Sequence, residues 1–241
     1  MNAAVLGELL AREKRRGQPA VSMPAVGREM SYRDFITTAY KSGNVLRYLG
    51  LSREATLAVE PAFRPEPLLA FLGAAQLGAR VTFDPEASAR VRLVSVDNEA
   101  AFLDDEGRLA VFGDSPGAPA TTHWEKEVWS ENPAFPPTEV DPDSTVLVDV
   151  DEQYSHRHLL EMAQQMIDEL DLNQGSRLAI QPTVSRPEAI SGLAAALAAG
   201  ATAVFINDLD RAADADAALV DEHAPAFANP QVVVESLLKT E

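Results

Sequence analysis

Apolar residues follow two alternating rhythms along this chain. Runs of four or five consecutive Val, Leu, Ile and Ala read as buried strands, and longer stretches with apolar residues every third or fourth position read as helices. Val5–Arg16 has the second rhythm, with Leu6, Leu9 and Leu10 on one face and Gly17-Gln-Pro19 as the stop, so it predicts a helix. Ala20–Met23 and Glu29–Met30 predict a short hairpin around Pro24 and Gly27. Ser31 reads as an N-cap, with Asp34 in the first turn of a helix running to about Leu49. Thr56–Val59 is a strand. Pro65 opens a helix over Glu66–Leu77, whose Ala70, Gly73, Ala74 and Ala75 allow close packing and which Gly78 ends. Strands follow at Arg80–Phe83, Val91–Val96, Ala101–Leu103 and Leu109–Phe112.

Gly113–Pro142, rich in Pro, Gly, Thr and acid, reads as a long ordered connection, because Trp124 and Trp129 argue for burial. A second series then begins: a strand at Thr145–Val148, a helix at Ser155–Leu170, a strand at Arg177–Ile180, a helix at Pro187–Ala199 closed by Gly200, and a strand at Thr202–Ile206. The tail Arg211–Glu241 carries Ala- and Asp-rich helix-like stretches and the strand-like Gln231–Val234. The series repeats itself. Arg64-Pro-Glu begins a helix that ends Gly78-Ala79, and Arg186-Pro-Glu begins one that ends Gly200-Ala201. Strands alternating with helices imply parallel sheets. The expected fold class is therefore α/β: two duplicated α/β subdomains with mainly parallel sheets, divided into residues 1–142, including the long connection, and 143–241.

Composition narrows the chemistry. The chain has 241 residues, with 37 Asp and Glu against 20 Lys and Arg, for a net charge of −17. Lysine is confined to Lys14, Lys41, Lys126 and Lys239, and the acids are spread along the chain. Spread acidity fits a high-salt cytoplasm, such as that of a halophilic archaeon, where a carboxylate-rich surface stays hydrated. An anion-repelling surface aimed at a basic partner is the rival explanation. Nucleic acid is excluded as a partner, because phosphate binding needs clustered Lys and Arg. The absence of cysteine excludes disulfides, thiolate metal sites and thiol nucleophiles. Glu8 interrupts the apolar N-terminus, which has no secretory pattern, and the apolar run Ala189–Ile206 is short for a membrane span, so a cytoplasmic location without membrane association is expected.

Candidate sites are few. Asp149, Asp151 and Glu152 lie where a strand is expected to feed a helix. Helix capping explains them better than a metal site, since the Gly and later Glu of a calcium loop are missing. His156 and His158 are two apart, so they do not share a helix face and read as exposed residues at a helix start. His123 and His223 read as surface residues, and Asp208, Asp210, Asp214, Asp216 and Asp221 as a solvated face. Arg64 and Arg186 each precede Pro-Glu, where an ion pair with Glu66 or Glu188 is favoured over an anion site.

Several runs resemble the adenylate-forming (AMP-binding) superfamily of acyl-CoA synthetases, peptide-synthetase adenylation domains and luciferases. They are Met30-Ser-Tyr-Arg-Asp-Phe35 with Asn44–Leu51, Leu68–Phe83, Tyr154–Leu160 and Ala194–Val204. The resemblance spans most of residues 5–206 and rests on packing positions. It implies the family's large N-terminal region, two related subdomains in a layered αβαβα arrangement. It also implies a Ser-, Thr- and Gly-rich phosphate loop ending in Pro-Lys-Gly between Val148 and Tyr154, where this chain has Asp149-Val-Asp-Glu-Gln153. The adenine, ribose, hinge and catalytic-lysine motifs have no counterpart. No catalytic residue carries over, and no cofactor or metal is expected. The resemblance then implies a non-catalytic homologue acting as a binding, regulatory or scaffolding module, with a full-length or complementary ligase as protein partner. The alternatives are a component of an AMP-forming carboxylate–CoA ligase completed by a separate chain, and an acyl or CoA binder, with Thr183 and Arg186 lining a cleft, that makes no use of ATP.

Overall fold

Leu6, Leu9 and Leu10 are fully buried, but the segment carrying them forms two 3-10 turns, Leu6–Leu10 and Arg12–Lys14, rather than one helix. Ala11 is extended (φ −52°, ψ 136°) and separates them. Three leucines with a Gly between them are enough to anchor the segment and too few to propagate a helix. The computed structural model describes residues 2–136, 138–149, 152–208, 214–220 and 231–233.

The expected hairpin is present as β1 (Pro19–Met23) and β2 (Arg28–Ser31), turning through Gly27 at φ 62°. α1 (Tyr32–Tyr48) follows at once. Ser31 caps it as expected: its hydroxyl accepts the Asp34 N–H at 3.1 Å and donates to the Asp34 carboxylate at 2.7 Å. β3 (Thr56–Val59), α2 (Pro65–Ala75) and β4 (Arg80–Thr82) form a strand–helix–strand unit with parallel strands. β5 (Val91–Ser95), β6 (Arg108–Phe112), the short β7 (Thr122–His123) and α3 (Trp124–Ser130) complete the first series. The strand expected at Ala101–Leu103 is absent, since a 3-10 helix (Val96–Ala101), capped by Ser95 accepting the Asp97 N–H, runs into it and Phe102 and Leu103 turn away from it.

The second series runs β8 (Thr145–Val148), β9 (Gln153–Ser155), α4 (His156–Glu169), β10 (Arg177–Ile180), α5 (Pro187–Ala199) and β11 (Thr202–Phe205). α2 and α5 are apolar and buried around nearly their whole circumference, the pattern of an enclosed helix. Ala217–Val220, which composition made helix-like, is a buried strand, β12, and β13 (Gln231–Val233) follows. In-register parallel pairing with β10 overrides the helical preference of its alanines there. The remaining tail expectations, including Asp210, Asp221 and His223, lie outside the described residues.

Among the described residues the strands form two mixed, mainly parallel sheets, ordered β13-β12-β10-β11-β1-β2 and β7-β6-β5-β3-β4-β8-β9. The plans match over six strands, and β7 is a seventh at the edge of the second sheet. In each sheet a parallel βαβ pair sits centrally, an antiparallel hairpin closes one side, and later strands extend the other. The hairpins are exchanged. β1 joins β11, pairing Val21 with Ala203, and β8 joins β4, pairing Val81 with Leu147.

The chain therefore divides into two compact units that are discontinuous in sequence. One is Met1–Ile36, Phe63–Pro65 and His156–Glu241, and the other is Thr37–Ala62 and Glu66–Ser155. A boundary at 142/143 falls inside the second unit, because β8 pairs with β4 once the long connection has been crossed.

Candidate functional site

Residues 145–155 do not form a strand feeding directly into a helix. They form a hairpin, and the helix begins only after its second strand. The Asp149 N–H donates to the Glu152 carbonyl at 2.9 Å, leaving two residues between the bonded positions. Below the turn, Val148 pairs with Gln153 and Leu147 with Tyr154. Tyr154 is buried and its hydroxyl donates to the Glu152 carboxylate, and Thr145 Oγ1 donates to Gln153 Oε1 at 3.1 Å. Asp151 lies outside the described residues.

This geometry bears directly on nucleotide binding. A phosphate cradle needs a run of backbone N–H groups turned toward one point, with glycines for close approach and a cation for the charge. Here the Asp149 N–H is spent inside the hairpin, the flanking side chains are carboxylates, and positions 149–153 contain neither Gly nor Lys. These residues do not fit a polyphosphate or its magnesium, and no chemical step can be derived through one. Among the described residues no group of three or more His, Asp or Glu is placed to hold a metal ion.

The loop between β10 and α5 carries Thr183 and Arg186. The Arg186 N–H donates to the Thr183 carbonyl at 2.9 Å, and Thr183 Oγ1 lies 2.9 Å from Ser185 Oγ. The Arg186 guanidinium is half exposed and pairs at 3.3 Å with Glu188, whose side chain is 1% exposed. The expected ion pair is therefore present at Arg186. Glu188 Oε1 has no hydrogen-bond partner among the described residues, so this carboxylate depends on one cation and on the start of α5.

His156 is a correction. It is fully buried at the start of α4, not exposed. Its Nδ1 accepts the Leu6 N–H at 3.3 Å, which places the ring proton on Nε2, and Nε2 has no partner among the described residues. Burial pushes its pKa down from 6.5 to about 4. His158 remains exposed. No spacing rule marks His156 as buried, since the burial follows from a residue 150 positions away.

Sequence reasoning also passed over Glu99. It is nearly buried and accepts the Gly117 N–H at 2.7 Å and the Ala118 N–H at 3.0 Å, ordering the Pro- and Gly-rich segment ahead of α3. These backbone bonds, with a smaller contribution from Thr121, hold its carboxyl below the usual carboxylate range. The segment's Ser-Pro-Gly-Ala-Pro pattern was legible as a loop, but not as one organised by a distant acid.

No protein-family model matches the sequence, and no curated protein matches it. Solved structures do match the fold. The anthranilate CoA ligase AuaEII in complex with anthranoyl-AMP superposes with a TM-score of 0.77 at 16% identity, covering 90% of this chain and 49% of that one. The chain shares the fold of about half of that CoA ligase. ATP-bound MatB from Rhodopseudomonas palustris gives a TM-score of 0.75 at 15% identity, with the same coverage. The N-terminal domain of FACL13 from Mycobacterium tuberculosis gives 0.68 at 16%, covering 90% of this chain and 62% of that domain. The chain spans about half the length of AuaEII and of MatB. At such identities the likeness is one of backbone and says nothing of chemistry. No helix among the described residues is long and apolar enough to cross a membrane.

Proposed function

We propose that this chain is a non-catalytic relative of the adenylate-forming ligases, serving as a binding, regulatory or scaffolding module with a full-length or complementary ligase as its partner. The observation that supports this reading is the hydrogen bond from the Asp149 N–H to the Glu152 carbonyl, which lies where the sequence resemblance would put the family's phosphate loop. Forming an acyl-adenylate requires stabilising charge on a triphosphate, and the carboxylates of Asp149 and Glu152 act in the opposite sense.

The test is thermal unfolding of the purified chain with and without MgATP, alongside a pyrophosphate-release assay. A ligand at a hundredfold over its Kd stabilises by roughly 2.7 kcal/mol. The expected result is no shift with millimolar MgATP and no pyrophosphate. A clear shift, or release of pyrophosphate by the chain alone, overturns the reading.

The exposed hydroxyls at Thr183 and Ser185 favour a second reading, an acyl or CoA binder that does not use ATP. A shift with acyl-CoA but not with MgATP would select it. Pyrophosphate release only after addition of a second polypeptide would instead select a ligase component completed in trans.

A further inference from the structure

A cleft of about 710 Å³ opens between the C-terminal half of α1, the 115–123 segment and α3. Its volume is in the range of small-molecule sites. Val45, Tyr48 and Leu49 contribute its apolar lining, and Lys126, Glu127 and Glu131 its charged lining. Tyr48 is 87% exposed. Four large apolar side chains are exposed among the described residues, and the two aromatic ones, Tyr48 and Trp129, stand on the two helices that wall this cleft.

The cleft is pinned from several sides. Lys41 Nζ donates to the Trp129 carbonyl at 2.9 Å, and Asn44 Nδ2 donates to the carbonyls of Asn132 at 2.8 Å and Ala134 at 2.9 Å, tying α1 to the end of α3. Glu99 holds the 115–123 segment by two backbone N–H groups. A ligand would find the walls already in place.

Lys126 and Glu127 bring opposite charges to the lining of the cleft. Lys126 and Glu127 are sequence neighbours on α3, so they do not face each other. Both line the cleft, and neither side chain has a partner among the described residues. Glu131 follows α3 as its extended C-cap, and its Oε1 accepts the Asn132 N–H at 2.8 Å. Glu127 lies in the last turn of α3, where the helix end carries negative partial charge and there is no basic residue. An ammonium at Glu127 offsets that charge, a carboxylate is drawn to Lys126, and the Tyr48 ring with Val45 and Leu49 offers an apolar surface.

We infer that this cleft binds a small amphipathic zwitterion, an ammonium and a carboxylate carried on an apolar body. This site lies apart from the Asp149–Glu152 hairpin and does not depend on the function proposed above.

The test is backbone-amide NMR of the whole chain, following Thr121, Thr122, His123 and Lys126, titrated with three probes: L-phenylalanine, phenethylamine and 3-phenylpropionate. The expected result is saturable shifts with L-phenylalanine, with each singly charged probe at least about tenfold weaker, the loss expected when one charge-assisted contact is removed. Tyr48→Ala should weaken all three. Lys126→Gln should erase the advantage of L-phenylalanine over phenethylamine, and Glu127→Gln its advantage over 3-phenylpropionate. These side chains are exposed, so each variant should keep the parent's amide spectrum away from the cleft. Absence of saturable shifts, equal binding of the three probes, or a preference that survives both charge variants overturns the inference.

Discussion

Gly43 of α1 and Gly73 of α2 meet backbone to backbone. A Cβ at position 73 would lie 2.7 Å from the Gly43 nitrogen and 3.1 Å from its Cα. The reciprocal Cβ at position 43 would meet the Gly73 carbonyl at 3.1 Å and the Phe135 ring at 2.6 Å. Backbone atoms cannot step aside as a flexible side chain can. Gly73→Ala should therefore destabilise by about 1–3 kcal/mol through overpacking, despite alanine's better helix propensity. Urea unfolding monitored by circular dichroism checks this, with a surface glycine, Gly17→Ala, as a near-neutral control.

Acid stability should carry the signature of His156. In the unfolded chain it takes a proton near pH 6.5, and in the folded chain only near pH 4. Between those values the unfolded state holds more protons, so stability is full above about pH 7 and falls as the pH is lowered toward 4. The loss from this one group amounts to about 3 kcal/mol. Denaturant midpoints measured from pH 7 to pH 4 should show the decline, and His156→Gln should flatten it.

Glu99 acts in a lower window. Its lowered carboxyl pKa contributes stability that is present above the ordinary carboxylate range and is lost as the pH falls through the folded value. Glu99→Ala should speed hydrogen exchange at the Gly117 and Ala118 amides by about tenfold or more, since both N–H groups lose a charged acceptor. Amides in β3 should be unaffected. Equal acceleration in both places would mean global destabilisation rather than a local anchor.

Tyr32 should report at the alkaline end. Its hydroxyl donates to the carbonyls of Ala201 at 2.7 Å and Ala196 at 3.1 Å, and the Arg16 guanidinium lies 3.9 Å from the ring centre. Burial raises its pKa to about 12, so the folded chain keeps the phenolic proton that the unfolded chain releases near pH 10. Stability should fall between those values. Tyr32→Phe should lose this alkaline slope and cost about 1–3 kcal/mol at neutral pH, because a buried carbonyl loses its donor. Unfolding curves at pH 7, 10 and 11 separate the two effects.

Helix and strand spacing made most of the central elements legible. α5, β3, β8 and β10 lie where the apolar rhythm puts them, and the Ser31 cap and the close packing at Gly73 follow from residue type alone. Two misreadings share a cause. β12 is a strand because β10 is beside it, and His156 is buried by Leu6. Each depends on a distant neighbour that no local pattern encodes. Residues 145–155 read as a strand-to-helix junction in the sequence because β9 is three residues long and gives too little alternation to register as a strand. The α1–α3 cleft was illegible for the same reason, since Tyr48 and Lys126 are brought to one hollow by hydrogen bonds that cross some ninety positions.

The exchanged hairpins have a consequence for synthesis. β1 finds its parallel neighbour only when Ala203 has been made, so the first strand leaving the ribosome waits through most of translation with one side unsatisfied. Its own hairpin partner, β2, covers the other side in the meantime. The sheet built from β3 to β9 can close once Ser155 has been made, whereas the sheet that holds β1 must wait for β11, so the first strand to be synthesised belongs to the last sheet to form.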